Sequence, residues 1–116
     1  MDPAQLAENR RQLAQLARQK SKRRVPVELP CTWQPRSVIN PEDNQPFTLA
    51  GAWEFMARLL EDMEGQSVEV LTLDNPAGKT AYVMKCDLPT GALYIKIHYG
   101  PPGTSILGRS FHYSEH

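Results

Sequence analysis

Residues 91–113 read GALYIKIHYGPPGTSILGRSFHY, and the reading of the fold turns on this stretch. Its first half alternates. Leu93, Ile95, Ile97 and Tyr99 fall on one side of an extended strand, and Ala92, Tyr94, Lys96 and His98 fall on the other. Gly100, Pro101, Pro102 and Gly103 then make a turn, and a second β-rich run follows. Upstream, runs 80–88 and 67–73 have the same character and are separated by Gly- and Pro-containing connections. Such short connections join antiparallel neighbours, because parallel pairs need long crossovers. The expectation is a four-stranded antiparallel meander whose apolar side, with Tyr82, Met84 and Cys86 added, faces a core.

A helix is predicted over residues 48–64. Leu49, Ala52, Trp53, Met56, Leu59, Leu60 and Met63 recur at the helical period, Thr48 suits the N-cap, and Gly65 suits the position past the end. This helix covers the apolar side of the sheet. Five prolines between residues 26 and 46 exclude a regular helix there. Trp33, Val38 and Ile39 mark that region as an ordered wrap, with an edge strand expected over 25–29 and Trp33 as its anchor. At the N-terminus, Asp2, Pro3 and Gln5 form a helix start, with Gln5 placed to close a capping box. The helix is expected to run to about Lys20. Its apolar stripe is thin, so it either docks on a surface or remains a loose arm. The expected organisation is a basic helical arm, 1–24, and a single α+β domain, 25–116.

The chain of 116 residues suits one domain with its own core. Net charge is zero but uneven: residues 1–38 carry +5 and the remainder −5. The run Lys20, Lys22, Arg23, Arg24 can meet phosphates or an acidic partner, or simply be a solvated helix end. Cys31 and Cys86 lack a CxxC neighbour, which signals no zinc and fits reduced thiols in the cytoplasm. No apolar run approaches the roughly 20 residues of a membrane span, and no secretory leader is evident. No metal or cofactor motif is present.

The side of the sheet away from the helix is expected to carry Lys85, Tyr94, Lys96 and His98, joined by Ser110 and His112 if Leu107, Phe111 and Tyr113 point inward. Arg109 would point inward by alternation, and a bulge at Gly108 is expected to turn it outward. These are the parts for RNA cleavage by 2′-hydroxyl attack. An imidazole from His112 or His98 moves the proton, Lys96 and Arg109 hold the phosphate, and Tyr94 hydrogen-bonds it or stacks on a base. The bland alternative is equally physical: exposed strand faces carry Lys, Tyr and His because they face water.

Thr90-Gly91-Ala92-Leu93-Tyr94-Ile95-Lys96-Ile97 and Ser110-Phe111-His112 resemble the MqsR toxins and, more widely, the RelE-like ribonuclease fold. The resemblance covers about residues 80–113. It implies a metal-independent endoribonuclease, an mRNA interferase of a bacterial toxin–antitoxin system, with RNA as substrate and an antitoxin protein as partner. By position it places catalytic roles on Tyr94 and His112. The chain departs from the family positions at two places: the family glutamine falls near Ala81 and its preceding lysine near Glu69, with Lys79 or Lys85 the candidate substitutes for the lysine. Beside Tyr94, Lys96 and His112 as the catalytic set stand Lys85, His98 and Arg109 as the substrate-binding set. The alternative is a non-catalytic module binding protein or nucleic acid through its basic head and a sheet edge. A closed-cavity enzyme lacks support, since no phosphate loop, nucleophile elbow or paired-carboxylate signature appears.

Overall fold

Alternation sets the sheet and a helical stripe sets what covers it. The computed structural model describes residues 1–26, 32–74 and 77–114. Along them run α1 (Pro3–Ala17), β1 (Arg23–Arg24), β2 (Thr32–Trp33), β3 (Ile39–Asn40), β4 (Gln45–Pro46), α2 (Leu49–Glu61), β5 (Glu69–Asp74), β6 (Ala77–Leu88), β7 (Gly91–Gly100) and β8 (Ser105–Tyr113). The chain is α+β, and β5 to β8 form the antiparallel meander.

Among the described residues the sheet has six strands rather than four. Its far edge, β8, is lined by β1 and β2, both parallel to it, with Arg24 opposite Leu107 and Thr32 opposite Ser110. Of the edge strand expected over 25–29, Val25 and Pro26 are not in a strand, and residues 27–29, like Cys31, lie outside the described residues; the pairing with β8 is made at Arg23–Arg24. A separate small ladder joins β3 and β4.

α2 begins where Thr48 accepts a hydrogen bond from the Gly51 amide, and it buries Ala52, Trp53, Phe55, Met56, Ala57 and Leu60. Each large apolar side chain so buried contributes about 1.5–3 kcal/mol. The stripe differs from expectation at Leu49, which is exposed. The helix stops at Asp62, whose carboxylate accepts from the Gly65 amide.

α1 starts at Asp2, which caps the Gln5 amide; the Gln5 side chain turns forward to Asn9 instead of closing a box. Leu13, Ala14, Leu16 and Ala17 are buried in the same core as α2 and the sheet. Tyr82 and Tyr99, on the apolar side of β6 and β7, bond through their hydroxyls to Asn9 and Gln12 of α1. Both helices therefore rest against one side of the sheet.

Trp33 is the expected anchor. Its ring lies 4.8 Å from Trp53 and 5.4 Å from Phe111. Gly108 sits directly beneath it, where a Cβ would come within 2.6 Å of the indole. Gly108 serves this contact, and the bulge falls one residue later. Lys96 pairs with Ser110 and Ile97 with Gly108, which leaves Arg109 as the extra residue of β8.

Candidate nucleic-acid interface on the second sheet side

The register decides which side chains share the side away from the helices. Lys85 pairs with Tyr94, Tyr94 with His112, and Lys96 with Ser110, while His98 follows two residues on from Lys96. All of these project to the side opposite Leu93, Ile95 and Ile97. Tyr94, Lys96 and His112 are thus brought to one surface, each partly exposed.

Tyr94 and His112 meet across the β7–β8 ladder. Their rings stack with centroids 5.5 Å apart and planes 29° from parallel. The His112 Nδ1–H donates to the Tyr113 carbonyl at 2.9 Å. A carbonyl can only accept, so Nδ1 carries the proton and Nε2 of the neutral ring keeps its lone pair. Lys96 makes no hydrogen bond or ion pair with the described residues, and stands one pair along from the rings.

His98 and Arg109 depart from the exposed positions expected of them. His98 is 4 % exposed and Arg109 6 %. The His98 Nδ1–H donates to the Tyr99 carbonyl at 3.0 Å, so its Nε2 must accept, and Arg109 Nη1 approaches it at 3.3 Å. Burial pushes the His98 imidazole below its ordinary 6.5; the hydrogen bond to Tyr99 opposes this, while the nearby charges of Arg109, Lys79 and Lys96 add to it. The bulge does turn Arg109 to this side, against simple alternation, but into a packed position. Ala81 and Val83 are buried on this side as well.

Lys85 is exposed, and its Nζ lies 3.2 Å from Glu69 of β5. Its charge is shared with that carboxylate. Lys79 was not placed on this side by sequence reasoning, although it has the same parity on β6 as Lys85 and its charge reaches His98. Alternation alone could have found it. Thr32, whose hydroxyl donates to Ser110 Oγ at 2.8 Å, had no such signal, because it arrives through the parallel pairing of β2.

The basic head is partly consumed within the molecule. Arg18 is paired with Glu61 and lies 3.6 Å from Glu54, and Arg23 lies 3.8 Å from Glu54. Lys20 and Arg24 are exposed. Among the described residues no three His, Cys, Asp or Glu side chains are grouped to hold a metal ion, and no helix is long and apolar enough to cross a membrane. Comparison with protein-family models, curated proteins and solved structures returned no match.

Proposed function

We propose that the second sheet side binds single-stranded RNA and cleaves it without a metal, as an mRNA interferase whose activity a protein antitoxin restrains in the cytoplasm. The observation that carries this reading is the stacked Tyr94–His112 pair with Lys96 beside it and a His112 lone pair available at Nε2. His112 Nε2 removes the proton from a ribose 2′-hydroxyl. The 2′-oxygen attacks phosphorus, the bond from phosphorus to the 5′-oxygen breaks, and the products are a 2′,3′-cyclic phosphate and a 5′-hydroxyl. Lys96 offsets the charge gathering on the phosphorane oxygens, and the Tyr94 phenol supplies the proton to the leaving oxygen. Lys85 adds a cation at the rim. The buried Arg109 acts from beneath, holding positive charge under the phosphate rather than touching it, with the neutral His98 ring beside it.

A second reading, RNA binding without cleavage, is favoured by one observation. With His98 buried, His112 is the only partly exposed imidazole on this side among the described residues, so proton return falls to a phenol. Cleavage of a single-stranded RNA separates the two. His112→Ala is expected to lower the rate by about 10²–10⁴, the range of a removed general base, with the melting temperature unchanged. Replacing the ribose at the cut site by 2′-deoxyribose is expected to abolish cleavage while binding persists. Wild-type protein that binds RNA but leaves it intact selects the second reading.

A further inference from the structure

The two edges of the sheet are treated differently. The β8 edge is lined by the chain's own β1 and β2. The other edge, β5, pairs only with β6 among the described residues. An unpaired edge offers a row of backbone donors and acceptors, and proteins usually blunt it with lysine, proline or a short strand. Residues 69–74, EVLTLD, contain neither lysine nor proline. The strand is six residues long, and a register shift appears only near its end, between Thr72 and Asp74.

The side chains on this edge are also unlike those of a solvated strand. Val70 is 38 % exposed and Leu71 39 % exposed. Val70 shares its side of the sheet with Tyr82, and Leu71 shares the other with Ala81. An added strand would therefore cover apolar surface on both sides of the sheet at adjacent positions. The charges narrow the choice of that strand. Between Arg58 and Lys79 the sequence holds five carboxylates, Glu61, Asp62, Glu64, Glu69 and Asp74, and no lysine or arginine. Glu69 and Asp74 bound the strand itself. A second copy docked edge to edge would set one such acidic border beside another, which like-charge repulsion opposes. A cationic strand meets attraction at Asp74, and at Glu69 in competition with Lys85, 3.2 Å away.

We infer that the β5 edge is a docking site for an extended segment of a partner protein, with β-branched apolar residues at its centre and lysine or arginine at its ends. Main-chain hydrogen bonds supply the pairing, Val70 and Leu71 the apolar cover, and Glu69 and Asp74 the selection for charge. This surface lies outside the Tyr94–Lys96–His112 group, so the inference stands whether or not RNA is cleaved.

The probe is a pair of capped hexapeptides, Lys-Val-Thr-Val-Thr-Lys and its counterpart with glutamate at both ends, titrated into the full chain up to millimolar concentration. Backbone amide shifts and hydrogen exchange report on residues 69–74. The lysine peptide is expected to saturate, to slow exchange of β5 amides, and to bind at least tenfold more tightly than the glutamate peptide. The double variant Val70→Lys, Leu71→Lys is expected to lose that binding with its melting temperature retained. If the variant does not fold, Glu69→Lys with Asp74→Lys serves instead, and is expected to reverse the preference between the peptides. Absence of saturation, equal affinity for both peptides, or a wild-type dimer in light scattering that Val70→Lys dissolves would each overturn the inference, the last by placing a second copy on the edge.

Discussion

His98 and His112 are tied in the same way, each giving its Nδ1–H to the carbonyl of the next residue, yet their surroundings part them. His112 keeps Nε2 beside an exposed tyrosine ring. His98 turns Nε2 toward a guanidinium, with Arg109, Lys79 and Lys96 the charged groups that face it. A protonated His98 would present a donor to a donor. Its folded-state pKa lies below the ordinary 6.5, so between those two values the unfolded chain binds more protons than the folded one. The contribution to stability is therefore complete above about pH 6.5 and declines as pH falls through that window. The melting temperature of His98→Gln is expected to fall less than that of the wild type between pH 7.5 and 5. Parallel curves for the two proteins would show that His98 does not carry this dependence. The histidines were legible as candidates from strand parity. The burial of one was not, because parity gives the side of a sheet and not what covers it.

At the scale of elements, the least expected feature is Arg10. By sequence it is one of several cations on a polar helix. In the fold it is 5 % exposed and reaches from α1 to the end of α2. Its Nε donates to the Leu60 carbonyl at 2.8 Å, and its Nη2 donates to those of Leu59 and Asp62 at 2.9 and 3.1 Å. The last carbonyls of a helix lack partners within it, and the negative end of its dipole favours a cation. Burial lowers the Arg10 pKa, and the nearby Asp62 carboxylate opposes that change. Arg10→Met is expected to destabilise the protein by about 2–3 kcal/mol, since it strands buried acceptors, and urea denaturation measures it. Arg11→Met, one residue on and exposed, is the control and is expected to change little. Helix α2 was readable to within three residues because its stripe is dense. Helix α1 left docking undecided because a thin stripe and one long-range arginine contact carry its packing.

For the molecule as a whole, the opposed charges of head and body are met in part within the fold. Arg18 and Arg23 lie against Glu54 and Glu61, although exposed pairs of this kind are individually worth about 0–1 kcal/mol. The apolar side chains of α1 matter more. Leu13, Ala14 and Ala17 are fully buried in the core shared with the sheet. Removing residues 1–24 is thus expected to abolish cooperative unfolding rather than merely detach a binding arm, as followed by near-ultraviolet dichroism and thermal melting. Charge reversal at Lys20 and Arg24, both exposed, is the way to test the head in binding, and is expected to leave the melting temperature within a few degrees of wild type.

The sequence by itself determined the α+β class, the antiparallel meander, the helix beneath it and the shared side of Tyr94 and Lys96, while the side of His112 waited on the register of β8. Those follow from periods of 2.0 and 3.6 and from short connections, which are local properties of the chain. Only the tertiary structure decided the parallel pairing of β1 and β2 with β8, the bulge at Arg109 rather than Gly108, the burial of His98 and the docking of α1. Each depends on contacts between residues far apart in sequence, as with Arg10 and Leu60 or Trp33 and Gly108. Local patterning holds no record of which distant surface will fill a given space.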